Sequence, residues 1–332
     1  MQTTVDTFTR NMFIRGESEW ITRRETKGKI VSKEMAKMRL GHLNNHILPA
    51  FGHRALSSIT EVELDNWLCG LPLATKTKNH IRDTLLIVWD EALRSRIIDQ
   101  DYASRIDRFR GRSKTPDAFE VEDLQKLFPP DRTTALMIWG NAMYRAFFLV
   151  LATTGTRLGE ARALTWGDWI SNEEHFPAFV INKSVKHDLS IGSTKNGKPR
   201  VVPNMLDAAA ALENWKKHAF YIRDEDLIFP NSVGRPIQGK ACLEVFRRAL
   251  AEARVDAHQR HLVIHSFRHS FNTILRPVLQ DDRLRIYTGH SSQKMTDHYD
   301  HHRPEKDIAE LQPDFEAINK TWKNIFRCKE SA

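Results

Sequence analysis

Residues 134–160 read TALMIWGNAMYRAFFLVLATTGTRLGE. From 134 to 152 the run is apolar nearly all round, through Leu136, Met137, Ile138, Met143, Phe147, Phe148, Leu149, Val150 and Leu151. A helix that is apolar on every side belongs at the centre of a domain, so the pattern predicts one central helix over 134–152. A polar segment follows at once: Thr153-Thr154-Gly155-Thr156-Arg157-Leu158-Gly159-Glu160. An arginine at the end of an apolar run is costly to bury without an anionic partner. Glu160, one turn on, can brace Arg157, and a phosphate can fill the rest of its fork. Taken alone, the two also read as an ordinary structural ion pair.

Working outward, the chain before this segment reads as helical. Met35, Met38, Leu40, Leu43 and Ile47 recur at near-helical spacing over 33–47, with Pro49 and Gly52 as stops. Thr60 and Glu63 form a capping box opening a helix through Trp67 and Leu68. Thr77 is the expected cap of the next helix, where Ile81, Leu85, Val88, Trp89 and Ala92 line one face. Residues 103–114, ASRIDRFRGRSK, carry five basic side chains and one acidic one, with Thr115-Pro116 after them. This reads as a linker, and equally as a basic strap for a phosphate backbone.

After the central segment the pattern is mixed. Phe179-Val180-Ile181 and Arg200-Val201-Val202 read as short strands joined by a hairpin turn at Asn196-Gly197. Helices are expected over about 205–218, 239–254 and 266–279. A tail helix over about 313–326 repeats Phe315, Ile318, Trp322 and Ile325 on one face.

The 332 residues suggest two domains. The formal charge of +8 is compatible with a polyanionic partner. Its distribution is uneven, with a net of +6 in residues 1–115 and +2 in the remainder. Composition, 41% hydrophobic and 28% charged, is that of a globular protein rather than a disordered or collagenous one. No apolar stretch approaches the ~18 residues of a membrane span, and the N-terminus lacks a signal core. Cys69, Cys242 and Cys328 are widely spaced and odd in number. They read as reduced thiols of a cytoplasmic protein, with neither a disulfide framework nor a zinc knuckle. G-x-G-x-x-G, P-loop, H-E-x-x-H and G-x-S-x-G signatures are absent.

Three further polar segments stand among the apolar ones. Ser193-Thr194-Lys195-Asn196-Gly197-Lys198-Pro199-Arg200 puts Lys195 and Lys198 on either side of the expected turn, suited to a nucleic-acid groove or simply to solvent. His265-Ser266-Phe267-Arg268-His269 sets two histidines four apart, but with no carboxylate between them and no evident third metal ligand. A His–Arg pair at i, i+3 suits a phosphate better. Gly289-His290-Ser291-Ser292 precedes a polar run holding Tyr299.

In the order Arg157, Lys195, His265, Arg268, His290, Tyr299, these segments resemble the tyrosine recombinase (phage integrase) family. T-G-x-R-x-x-E matches Thr154 to Glu160, and H-x-x-R-H matches His265 to His269. G-H-x-x-x-x-x-T-x-x-Y matches approximately through Gly289-His290, Thr296 and Tyr299. Residues 43–52, LNNHILPAFG, look like the entry to such a protein's core-binding domain, so the resemblance covers about residues 15–303. Ser266-Phe267 stands where the family often has Asp-Leu, Thr288 where it usually has Leu, and Arg276-Pro277 where a glycine turn is common. No departure falls on a catalytic position.

The resemblance implies a mainly α fold with a small antiparallel β-sheet. It implies an all-α, SAM-like core-DNA-binding domain over 1–110, a basic linker over 111–116 and a catalytic domain over 117–303. The tail helix within 304–332 would then dock on a neighbouring protomer or fold back on its own domain. The implied activity is site-specific cutting and rejoining of duplex DNA through a 3′-phosphotyrosine, integrating or excising a prophage or other mobile element. Tyr299 is the nucleophile, and Arg157 and Arg268 are the phosphate clamp. Lys195 is the general acid, with Lys198 as its competitor. His265 is a base or hydrogen-bond donor, His290 bonds the phosphate, and Glu160 supports Arg157 or His265. Neither metal nor ATP nor any other cofactor is implied. Expected DNA contacts are Lys76, Lys78, Arg105, Arg108, Arg110, Arg112, Lys114 and Lys198. Expected partners are a homo-tetramer on two duplexes and DNA-bending accessory proteins, without a membrane, in a bacterial cytoplasm at the nucleoid. A type IB topoisomerase-like relaxing enzyme and a catalytically idle DNA-binding regulator remain as alternatives.

Overall fold

Thr60 and Glu63 close the capping box read from the sequence: the Glu63 N–H donates to Thr60 Oγ1, and Glu63 Oε2 accepts the Thr60 N–H. The helix they open, Glu61–Gly70, belongs to the first of two compact units, Met1–Ser113 and Lys114–Ala332, of the computed structural model. Described residues are 3–100, 103–111, 115–172, 175–194, 197–257, 259–289 and 311–326.

The first unit is helical: α1 (Val5–Thr9), α2 (Glu19–Thr26), α3 (Lys33–His42), α4 (Leu48–Phe51), α5 (Glu61–Gly70) and α6 (Thr75–Arg94). Its core includes Leu43, Ile47, Leu64, Leu68, Ile81, Leu85, Val88 and Trp89. Two local expectations are corrected. The helix from Lys33 does not stop ahead of Pro49. It passes through a π turn, Leu43–Ile47, where the Leu48 N–H reaches back to the Leu43 carbonyl, and continues to Phe51. A π turn is one way a helix absorbs an irregular residue, and Pro49 then sits in the first turn of α4. Nor is Thr77 a cap: α6 starts at Thr75 behind Ala74, which makes no side-chain cap bond. Twenty residues with a buried face hold this helix without one.

The second unit holds α7 (Val121–Leu127), α8 (Arg132–Trp139), α9 (Ala142–Thr154), α10 (Leu158–Ala161), α11 (Leu206–Lys216), α12 (Gly239–Glu252), α13 (Ser266–Leu275), α14 (Asp281–Thr288) and α15 (Gln312–Phe326). The single helix expected over 134–152 is two, α8 and α9, bent by 89°. Gly140 ends α8 in the left-handed region at φ +81°, and Asn141 caps α9 by accepting the Tyr144 N–H at 2.8 Å. Among the described residues no single helix is long and apolar enough to cross a membrane, and only this bent pair has the composition. α9 is the central element, with every residue from Ala146 to Thr154 buried.

Strands β1 (Trp169–Asn172), β2 (His175–Ile181) and β5 (Arg200–Pro203) form an antiparallel sheet in the order β1-β2-β5. Strands β3 (Lys183–Val185) and β4 (Ile191–Ser193) form a separate hairpin. The expected strands are thus paired, in the register Val180 to Val201. They are not joined by a tight turn at Asn196-Gly197, because the β3–β4 hairpin is inserted between them. Gly197, at φ +70° with its N–H on the Thr194 carbonyl, lies in the link from β4 to β5. Asn196 and Lys195 lie outside the described residues.

The tail helix α15 packs on its own unit. Phe315 stacks on Phe176, Phe326 meets Phe128 edge to face, and Trp322 is fully buried. The Gln125 side chain donates to the Ile325 carbonyl, and the Leu206 N–H donates to Asn319.

Candidate active site

The buried end of α9 builds the site. Gly155 leaves the helix at φ +62°, a conformation costly for other residues. A Cβ there would stand 2.6 Å from the Phe271 ring. Glycine therefore lets α9 close on α13, and its carbonyl accepts Arg268 Nη1 at 2.8 Å. Two residues on, Arg157 opens α10. Its backbone N–H donates to Glu160 Oε2 at 2.9 Å and its Nη1 to Glu160 Oε1 at 2.8 Å. The brace read from the sequence is present.

Glu160 has a second partner that the sequence reading missed. Arg200, the first residue of β5, sends Nη2 to Oε2 at 2.7 Å and Nη1 to Oε1 at 3.4 Å. The signal was available: Arg200 stands beside Val201 and Val202, and an arginine in an apolar run needs an anion as much as Arg157 does.

The three arginines converge on the end of α14, one on each of three successive carbonyls. Arg200 Nε donates to Tyr287 at 2.8 Å, Arg268 Nη2 to Thr288, and Arg157 Nη2 to Gly289 at 3.0 Å. Cations suit a helix C-terminus, where the last carbonyls lack helical partners. Gly289 turns the chain at φ +63°, and a Cβ on it would lie 3.2 Å from the Arg200 guanidinium carbon. The residue that follows is His290.

Charge within this cluster does not balance. Arg268 is 2% exposed, Arg200 6% and Glu160 1%, and the three guanidinium groups of the cluster have one carboxylate among them, bonded by Arg157 and Arg200. Burial, then the charges of Arg157 and Arg200, pull the Arg268 guanidinium down to about 9. Arginine keeps its proton in proteins, so the depression expresses what it costs to bury this guanidinium beside two others. Burial pushes the Glu160 carboxyl up, but Arg200 and then Arg157 override it and hold it below the usual carboxylate range. Arg157, with a quarter of its side chain exposed, is the member of the cluster that faces outward.

His265 is exposed at the N-terminus of α13, edge to face with His269 at 5.1 Å between ring centroids. Among the described residues no group of three His, Cys, Asp or Glu is placed to hold a metal ion. His290 and Tyr299, like Lys195, Arg112 and Lys114, lie outside the described residues. Of the other tyrosines, Tyr287 is buried with its hydroxyl on Asp314, and Tyr144 is in the first turn of α9, remote from the end that carries the site.

The chain from 120 to 306 matches the model of the phage integrase family. The chain belongs to that family. It is a tyrosine recombinase, an enzyme that cuts and rejoins DNA. The recombinase is 22% identical over 281 residues to an integrase of Streptomyces ambofaciens, covering 77% of this chain and 68% of that protein. With the ICEBs1 integrase of Bacillus subtilis (strain 168) it shares 25% over 277 residues, 80% of this chain and 73% of the other. Its fold is similar to that of lambda integrase, in a crystal structure of a dimer bound to a COC′ core site. That likeness has TM-score 0.63 and 16% identity, over 83% of this chain and 95% of that one. The Tn1549 transposon integrase with circular intermediate DNA gives TM-score 0.65 and 18% identity, over 93% and 98%.

In the first unit, several expected DNA contacts, the exposed Arg105 and Arg108 and the half-buried Lys78, are already engaged. Arg105 pairs with Glu61 at 3.5 Å and Arg108 with Asp83 at 3.2 Å. Lys78 donates to the Cys69 carbonyl at 2.7 Å and lies over the Phe109 ring. Such exposed pairs are worth about 0–1 kcal/mol, so a phosphate can displace the carboxylate. Lys76, Arg110 and Lys198 are exposed.

Proposed function

We propose that this recombinase breaks one phosphodiester at a time in a specific duplex site of a mobile element. The observation that carries the reading is the surplus of buried positive charge around Glu160. Arg157 and Arg200 both bond the one carboxylate, Arg268 beside them has only backbone carbonyls, of Gly155 and Thr288, and a scissile phosphate supplies the balancing anion.

Arg157 and Arg268 bind the non-bridging oxygens and take up the charge that builds in the pentacoordinate transition state. Tyr299 attacks phosphorus in line, a P–O(Tyr) bond forms and the P–O5′ bond breaks. His265 accepts or steers the tyrosine proton, Lys195 protonates the departing 5′-oxygen, and His290 bonds a phosphate oxygen. The phosphotyrosine keeps the energy of the broken bond. Attack by a partner strand's 5′-hydroxyl completes exchange, and attack by the original one restores the DNA. Lys76, Lys78, Arg105, Arg108, Arg110, Arg112, Lys114 and Lys198 grip the backbone from both units. Arg105 and Arg108 exchange Glu61 and Asp83 for phosphates as they do so.

Exchange between two duplexes requires four protomers. A lambda integrase tetramer bound to a Holliday junction is a structural relative, with TM-score 0.63 and 16% identity over 84% of this chain and 78% of that one. The boundaries 1–110, 111–116, 117–303 and 304–332 divide core binding, linker, catalysis and tail. The enzyme works at the nucleoid of a bacterial cytoplasm, with DNA-bending proteins as helpers.

The test is a nicked suicide duplex of the element's own crossover site, which loses its 5′-hydroxyl after cleavage. A covalent protein–DNA adduct is expected without ATP, and a DNA-binding regulator gives none. Lys195→Ala should slow cleavage on ordinary DNA and recover with a 5′-bridging phosphorothiolate, whose leaving group needs no acid. Failure to recover removes Lys195 from the acid role.

A further inference from the structure

Arg200 is the arginine of the cluster that stands on the sheet and bonds both the Glu160 carboxylate and the end of α14. Its side chain is 7% exposed, so it has little surface to offer a substrate. Its Cα is fixed by the ladder, where Arg200 pairs with Ile181 of β2. From that anchored position its guanidinium reaches two other segments, α10 through Glu160 and the end of α14 through Tyr287. Each Glu160 oxygen takes one donor from Arg157 and one from Arg200. The same residue ends the link that carries Lys195 and Lys198.

We propose that Arg200 is a positioning residue for the phosphate clamp: it ties Glu160, and through it Arg157, to the sheet and to the turn before His290. This rests on the phosphodiester reading above. Without Arg200, Glu160 keeps only its Arg157 donors, and the carboxylate is free to turn with Arg157 rather than against a fixed frame. The end of α14 also loses one of its three cationic donors. Lysine is a poor replacement, because one ammonium cannot span the Glu160 carboxylate and the Tyr287 carbonyl as a planar fork does.

The experiment compares the unaltered protein with Arg200→Met and Arg200→Lys on two suicide duplexes. One has an ordinary scissile phosphate. The other has a methylphosphonate there, with one anionic oxygen replaced by a neutral methyl. A misplacement of about 1 Å costs about 100-fold in rate, so Arg200→Met should form the adduct about 100-fold more slowly on the phosphodiester. On the methylphosphonate, which asks less of Arg157, the deficit should shrink at least several-fold. Arg200→Lys, which keeps the charge against Glu160 and guards against loss of folding, should show the same pattern with a smaller deficit. Wild-type rates in both variants, or equal deficits on both substrates, overturn the positioning role while leaving the function intact. No adduct from the unaltered protein overturns the functional reading and this inference with it.

Discussion

Replacing Glu160 by glutamine probes the charge balance of the site directly. The carboxylate is 1% exposed and accepts four N–H groups, from the Arg157 backbone, Arg157 Nη1 and both Arg200 Nη atoms. Glutamine keeps the shape but offers one acceptor oxygen, and its NH2 group faces guanidinium. The cluster rises from two surplus positive charges to three. Breaking a buried ion pair by removing one partner costs about 3–5 kcal/mol. For a unit of this size, roughly 2–4 °C of melting temperature is lost per kcal/mol, so Glu160→Gln should melt roughly 6–20 °C lower. Calorimetry of the full chain at neutral pH reads this as a shift of the catalytic unit's transition. Added inorganic phosphate should raise the melting temperature of the variant more than that of the unaltered protein, because the anion replaces the lost carboxylate. A shift under about 2 °C, with the same response to phosphate in both proteins, refutes the argument that the cluster holds uncompensated buried charge.

Gly155→Ala meets both a left-handed backbone and the Phe271 ring 2.6 Å from the new Cβ. The backbone costs about 1–2 kcal/mol and overpacking about 1–3, and urea denaturation should show a loss in the range of their sum. Trp322→Ala should cost about 3–5 kcal/mol, because that ring is fully buried on its own unit; an unchanged denaturation midpoint places α15 elsewhere in solution. Glu160 and Asp123 both have carboxyls held below the usual range, against burial, by Arg200 and Arg157 in one case and by Arg260 in the other. Folded values below unfolded ones mean stability that is present above about pH 4 and lost as pH falls through the folded values. The melting temperature should therefore drop on the acid side, with a flatter acid limb in Glu160→Gln/Asp123→Asn.

The Arg157–Glu160 pair was legible because buried charge is expensive to hide. Arg157 and Glu160 follow directly on an apolar run, and Arg268 stands three residues after His265; both signals survive in a bare sequence. Buried faces were legible for the same reason: Ile81, Leu85, Val88, Trp89 and Ala92 of α6, and Phe315, Ile318 and Trp322 of α15, are all inside. What failed was local geometry. Hydrophobicity runs straight through Gly140-Asn141, yet the glycine's left-handed turn and the asparagine's cap break one apolar run into two helices. The strands read at 179–181 and 200–202 do pair, as β2 and β5, but a turn signal cannot tell that the β3–β4 hairpin has been inserted between them. Arg200 escaped notice because its partner is forty residues away, and pairing across that distance is set by the sheet rather than by spacing.

The chain holds five tyrosines, and the proposed nucleophile is one of them, Tyr299. Trapping the adduct on a suicide duplex, digesting protein and DNA, and locating the residual nucleotide by mass spectrometry tests this directly. The expected result is a nucleotide joined through its 3′-phosphate to Tyr299, and no adduct from Tyr299→Phe. A nucleotide on any other residue, or an adduct that persists in Tyr299→Phe, contradicts it.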